Sequence, residues 1–340
     1  MNKWREDVLN NYQRQALPIM TYPGLEFTGE TVFDIITKGE NQYKCIDVLV
    51  KNFSTIAGVM VMDLSVEAEA FGAKVKFHKD EVPDVTGPII DNAGLIEKLK
   101  VPEVGTGRTG EFVKAAGMAA ANMKDKPVFG GMIGPYSLAV RLFDMTEFMM
   151  LTLTDPDSAK ILISKATEFL TKYAIAYKDI GVNGVIIAEP AAGLLSPFDC
   201  DNFSSIFVKS IVEAVQDDDF MVILHNCGNT ETLVASMLST GAAGLHFGNS
   251  VNMIEVLEQI PSDILVLGNL DPVNVFKLGN PELIREKTLE LLNSTKSYRN
   301  FVVSSGCDIP PFTDINNIQS FFDTIDEFNN LKNAKNLRKN

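Results

Sequence analysis

The chain has 340 residues, 46% of them hydrophobic and 22% charged, a balance that supplies a large core and speaks against disorder anywhere but the ends. A net charge of −14 argues against nucleic acid or an anionic membrane surface as a partner, since both are held by clustered Lys and Arg. No apolar run approaches the ~20 residues that span a bilayer, and the opening MNKWREDVLNNYQRQ lacks the apolar stretch of a signal peptide, so a cytoplasmic protein is expected. Four cysteines in a chain this long are no disulfide framework. In a reducing compartment they serve packing, metal ligation or catalysis.

Residues 1–16 read as a leading helix. Short apolar runs then recur at 17–22, 59–64, 128–133, 184–188, 220–225, 244–247, 264–267 and 301–304. Most are continuous rather than alternating, as expected of parallel strands buried on both faces. Residues 71–100 alternate around Val75 and Phe77 and predict a β-hairpin inserted after the second strand. A cap residue followed by Pro156 opens a predicted helix that runs to about residue 180. Further helices are predicted at 199–216, 230–239, 251–260, 281–293 and 314–331, with apolar residues at helical spacing such as Ile254, Leu257 and Ile260. Eight strands, with helices following from the third onward, predict an α/β fold: a (β/α)8 TIM barrel forming one domain over 1–340. An open doubly wound sheet is the alternative, but neither GxGxxG nor GxxxxGK[ST] is present.

The strongest local signal is His225-Asn226-Cys227-Gly228, closing the fifth run. Its counterpart is Ser304-Ser305-Gly306-Cys307-Asp308, closing the eighth. In a barrel all strand carboxyl ends open on one face, where active sites lie. His225 and Cys227 are two apart and share a side of an extended strand. One imidazole and two thiolates suit Zn2+, which takes N and S ligands at about 2.0–2.3 Å. Three protein ligands, His225, Cys227 and Cys307, leave a fourth position open, the mark of a catalytic zinc. There is no CxxC, so a closed structural site is not expected. Zinc lowers the pKa of a coordinated thiol and so makes a nucleophile of it. Cys45 and Cys200 lack such a position and read as core or surface thiols.

With these motifs the chain resembles the uroporphyrinogen decarboxylase superfamily and, within it, the methylcobamide:coenzyme M methyltransferases. The resemblance runs from about Pro18 to Phe322. Its landmarks are 67–72 (EAEAFG), 134–138 (GPYSL), Glu189-Pro190 with Ser196-Pro197, 225–228 (HNCG), 268–272 (GNLDP) and 306–310 (GCDIP). It implies a (β/α)8 barrel whose His–x–Cys…Cys zinc site, here His225, Cys227 and Cys307, binds a small thiol acceptor such as coenzyme M. It also implies a methyl donor, a methylcobamide (corrinoid), carried on a separate corrinoid protein. This chain has no DxHxxG segment of its own to hold one. The decarboxylases are recognised by an Arg-rich amino-terminal segment, whereas residues 17–24 here are LPIMTYPG. A tetrapyrrole decarboxylase, a non-catalytic corrinoid-binding accessory protein and a zinc-free pterin-linked methyltransferase remain the alternatives.

Further candidates follow the strand ends. Glu189 closes the fourth run and reads as a displaceable zinc ligand or an orienter of His225, against a helix-capping role. His246 ends the sixth run where relatives commonly carry an acid. It reads as a fourth ligand, an orienting group or a cation for an anionic substrate. Asp63 ends the second run and joins Glu189 and His246 as a candidate for the catalytic chemistry. Asp271 reads as a helix cap and Asp308 as a tuner of the zinc site. Tyr136 and Arg141 are the candidate cofactor-binding residues, Arg141 as a partner for a sulfonate or carboxylate on the acceptor.

Overall fold

The computed structural model describes residues 1–337, with side chains through residue 331; the last three residues of the expected domain, 338–340, lie outside the described residues. The strands in chain order are β1 (Gly58–Val59), β2 (Val75–Lys76), β3 (Asp84–Val85), β4 (Val128–Ile133), β5 (Gly184–Ala188), β6 (Met221–Asn226), β7 (Gly244–Phe247), β8 (Leu265–Leu270) and β9 (Phe301–Ser305). Among the described residues seven of them form one parallel sheet, ordered β1-β4-β5-β6-β7-β8-β9. The register pairs Ala188 with His225, His225 with His246, and Asn269 with Ser304.

The sheet curls into a barrel, and residues 15–17 close it. Ala16 bridges in parallel to both Thr55 and Val303. The N–H of Leu17 donates to Val303 O at 2.9 Å, that of Val303 to Gln15 O at 3.0 Å and that of Ile56 to Ala16 O at 3.0 Å. The expected first strand at 17–22 is therefore corrected: it is a pair of bridges centred on Ala16. Pro18 has no N–H to donate and stops the ladder there. The second expected strand is likewise trimmed to β1, with Met60 N–H still donating to Phe129 O.

Counting the Ala16 segment, each of the eight β units is followed by a helix among the described residues. These are Gly39–Asn52, Thr109–Asn122, Pro156–Asp179, Ile206–Val215, Val234–Leu238, Met253–Leu257, Pro281–Ser294 and Ile315–Leu337. The first two extend the alternation to units where the sequence suggested none. The insertion at 71–100 contains an antiparallel pair, Val75 with Val85 and Lys76 with Asp84, and a single 3-10 turn at Ala93–Leu95. No helix among the described residues is long and apolar enough to cross a membrane.

Two cores result. Phe129, Ile186, Ile223, Leu265, Leu267 and Val302 fill the barrel interior. The leading helix, Asn2–Asn10, plugs the amino-terminal end: Val8 joins this core and the Trp4 ring lies 5.8 Å from that of Phe129. A larger apolar shell packs the helices onto the strands. Strand periodicity of two then carries the inward row upward from Ile223 to His225, from Gly244 to His246 and from Val302 to Ser304.

Arg14 secures the closure. Its buried guanidinium donates to the carbonyls of Thr295, Tyr298 and Phe301, at 2.6, 2.7 and 3.3 Å. Its main chain exchanges hydrogen bonds with the Asn329 amide. Removing the cation takes a charged donor from all three carbonyls under the closing segment, of which Thr295 O keeps the N–H of Tyr298. Arg14→Met is expected to destabilise the protein by about 3 kcal/mol, measured as the shift in urea unfolding followed by two probes.

Candidate metal centre

The carboxyl ends of β6 and β9 bring three ligand-bearing side chains together. The ligand atoms of His225, Cys227 and Cys307 all lie within 4.8 Å of one another. His225 is buried, whereas the two cysteines are partly exposed at the barrel mouth. His225 Nδ1 lies 2.8 Å from His246 Nδ1. Its other nitrogen, Nε2, is buried and has no hydrogen-bond partner. A buried polar atom left unpaired costs about 1–3 kcal/mol, and a soft divalent cation shared with two sulfurs would satisfy it. The residues present thus fit zinc.

The supporting turns are built by side chains that tie the loops down. The Asn226 amide donates to Glu189 O at 2.7 Å and accepts from Gly228 N–H at 2.8 Å, shaping the turn that carries Cys227. Asp308 accepts from the backbone N–H and the hydroxyl of Thr21, at 3.1 and 2.5 Å, tying the Cys307 loop to the closing segment. Glycine is required where the loop after β7 passes between the two cysteine turns. A Cβ on Gly248 would stand 2.6 Å from Cys227 Cα, and one on Gly306 would stand 2.6 Å from Asn249 N.

The thiols titrate as a pair. The hydrogen bond from Cys307, aided by His225, pulls Cys227 below the usual thiol range. The same bond pushes Cys307 up, with burial and the nearby Asp308 adding to it. The pair thus holds one of its two protons more tightly than the other. Burial, then the field of His225, holds His246 well below the usual imidazole value. Burial also pushes Asp308 up to about 7, against the Thr21 hydrogen bonds.

The other expected residues lie outside this trio. Glu189 is buried, and its carboxylate accepts from the N–H groups of Tyr136 and Ser137, at 2.7 and 2.9 Å, and from Ser204 Oγ at 3.3 Å. It thus satisfies the amino end of the helix Pro135–Phe143, where the free N–H groups favour negative charge. Asp63 forms an ion pair with Arg108 and accepts from the N–H and hydroxyl of Ser65. Tyr136 is buried against Phe148, with ring centroids 5.6 Å apart. Asp271 caps the turn that follows it through the N–H groups of Val273 and Asn274. Arg141 lines a cleft of about 480 Å³ with Ser137, Pro190, Ala191, Leu194 and hairpin residues Val85, Gly87 and Pro88. Burial lowers its pKa, and the field of Glu67, Asp63 and Asp84 opposes that shift.

Glu67 is the functional-looking residue that sequence reasoning passed over. One oxygen accepts from Ile133 N–H at 2.9 Å; the other is buried without a partner. Burial raises its pKa from 4.5 to about 7. The native state thus keeps a proton that the unfolded chain releases, so this contribution to stability is complete below pH 4.5 and is lost as pH rises through about 7. Over that window wild type is expected to lose on the order of 3 kcal/mol that Glu67→Gln does not lose, read from unfolding free energies measured across pH.

A parallel α/β barrel with a His–Cys–Cys cluster at its catalytic face is the class defined by fold and site. The chain belongs to the uroporphyrinogen decarboxylase (URO-D) family, whose profile matches residues 9–328. Two curated relatives named methylcobamide:CoM methyltransferase MtbA align over 261 residues, 76% of this chain and 75% of theirs. The protein from Methanosarcina acetivorans is 29% identical and that from Methanosarcina mazei 30%. A solved methyltransferase from Methanosarcina mazei superposes with a TM-score of 0.87 over 96% of this chain and 98% of its own, at 23% identity; that likeness speaks for the fold.

Proposed function

We propose that the protein is a zinc-dependent methyltransferase that moves a methyl group from a methylcobamide, carried by a separate corrinoid protein, to a small thiol of the coenzyme M kind. The observation that carries this reading is the meeting of His225, Cys227 and Cys307 around a buried, unpartnered Nε2. The relatives named methylcobamide:CoM methyltransferase support the donor and acceptor classes.

In this reading the three side chains hold the ion, and the two cysteinates offset its charge. Bound zinc would supply the Lewis acidity that keeps an acceptor sulfur deprotonated near neutral pH. In the net reaction the acceptor loses its S–H proton, a sulfur–carbon bond forms and the methyl–cobalt bond breaks, its electron pair staying with the corrinoid. Arg141 offers a guanidinium to the acceptor's anionic end in the cleft it lines with Pro190 and Ala191, which follow β5, the strand paired with β6. Glu189 and Asp63 act as positioning residues, the first through the helix beneath that cleft and the second through Arg108. His246 acts through His225 rather than as a ligand.

Protein purified without chelator is expected to carry about one zinc per chain, lost in the Cys227→Ser, Cys307→Ser double variant. With free methylcobalamin, one thiol of a screen is expected to abolish the methyl–cobalt absorbance in a zinc-dependent way. Protein that takes up no zinc, or that turns over uroporphyrinogen without metal, defeats the reading. Methylcobalamin binding with no thiol methylated marks an accessory protein instead.

Arg141→Ala is expected to raise KM for an anionic thiol roughly 10- to 100-fold, the worth of a charge-assisted hydrogen bond. Its kcat is expected to hold. Steady-state kinetics against an uncharged thiol of similar size provides the control, for which KM should not change.

A further inference from the structure

The polar layer above the barrel core contains a hydrogen-bond chain whose proton positions follow from its fixed end. Ser304 Oγ lies 2.7 Å from the carbonyl oxygen of Leu17, which can only accept, so the hydroxyl donates there. A hydroxyl has one proton, so Ser304 Oγ accepts from His246 Nε2 at 2.8 Å. His246 is 1% exposed, and a buried imidazolium without a counter-ion is costly. The ring is neutral and its lone pair sits on Nδ1. That lone pair faces His225 Nδ1 at 2.8 Å, which must therefore carry a proton. With Nδ1 given over to that hydrogen bond, the ring nitrogen left to meet a cation is Nε2, the buried atom with no partner.

We propose that His246, itself held by Ser304, is the positioning residue that locks His225 in the Nδ1–H tautomer and so aims the Nε2 lone pair at the metal position. The metal half of this statement rests on the zinc reading; the tautomer belongs to the protein alone. The geometry is that of the general case in which a ligating histidine is oriented through its second nitrogen, with a neutral imidazole in place of the usual carboxylate or carbonyl. The sulfurs of Cys227 and Cys307 then meet an imidazole whose ring direction and proton are both fixed before any ion enters.

The chain contains three histidines, and His78 is set apart by its partial exposure, so the imidazole nitrogens are assignable in full-length protein labelled with 15N-histidine. Long-range 1H–15N correlation spectra without metal are expected to show His225 protonated at Nδ1 and His246 protonated at Nε2. Added zinc is expected to shift His225 Nε2 and leave His246 neutral. Chelator competition is expected to show zinc affinity lowered 10- to 100-fold in His246→Leu. His246→Gln, whose amide can both accept from His225 and donate to Ser304, should recover most of it. Ser304→Ala should fall between and show mixed His225 tautomers.

Should His246→Leu fail to fold, the Gln and Ser304→Ala proteins make the same comparison. A His225 without a proton at Nδ1 in the metal-free wild type overturns the proposal whatever the metal does. So does unchanged zinc affinity together with an unchanged His225 spectrum in the folded variants. Wild type that binds no zinc defeats the metal reading on its own, and the metal-free spectra still decide the tautomer.

Discussion

The three ligand-bearing residues come from β6 and β9, which have two other strands between them in the sheet order. They meet because the sheet curls and closes, and closure depends on a short contact. One residue, Ala16, bridges both edges, and the guanidinium of Arg14 fastens the segment before it to three carbonyls near β9. The loop after β7 sits between the two cysteine turns and has no side chain at Gly248, and Gly306 leaves the same room at Asn249. The spacing of the sulfurs is therefore a property of how tightly backbone packs against backbone at the mouth.

A barrel interior is normally filled by apolar layers, and this one follows the rule as far as Ile223, Leu267 and Val302. One strand period higher, two imidazoles and a hydroxyl occupy the same inward rows. Each would be costly alone in so dry a place. The chain from His225 to Ser304 ends on the Leu17 carbonyl, to which no backbone N–H donates among the described residues. Pro18 halts the ladder at that point, and the carbonyl it leaves free completes the polar layer. The irregular first strand and the ordered histidine pair are thus two sides of one arrangement.

The eight-fold alternation was legible because parallel strands buried on both faces give continuous apolar runs. The chemical motif was legible because His–x–Cys and a distant Cys stood at two such run ends. What could not be read was partnership across the sequence. Glu189 binds backbone N–H groups more than fifty residues earlier, which leave no side-chain trace. Asp63 is answered by Arg108, which lies beyond an inserted hairpin. Glu67 lies in the first turn of a short helix, and nothing in the sequence marks that its second oxygen is buried and alone. The helix Thr109–Asn122 is rich in alanine and glycine and gave no clear periodic signal, whereas Gly39–Asn52 buries Cys45, Ile46 and Leu49 at helical spacing, a stripe the sequence did carry. His246 stood at a strand end, but its facing His225 is a fact of register.

The donor set also bears on which substrate the site suits. Two sulfurs and one nitrogen form a soft, electron-rich face, which prefers soft partners over hard oxygen ligands. Their exposures differ in the same sense: His225 is buried, whereas Cys227 and Cys307 are partly exposed. An incoming group therefore meets the site from the thiolate side. The Arg141 cleft opens one strand away, where Pro190 and Ala191 follow a Glu189 whose N–H donates to His225 O. Strands stand about 4.8 Å apart; under the proposed function, a small molecule with sulfur at one end and negative charge at the other addresses both features, while a neutral thiol forgoes one. Under the proposed function, the acceptor reaches from the end of β6 to the cleft lined by the residues after β5, a step set by the sheet itself.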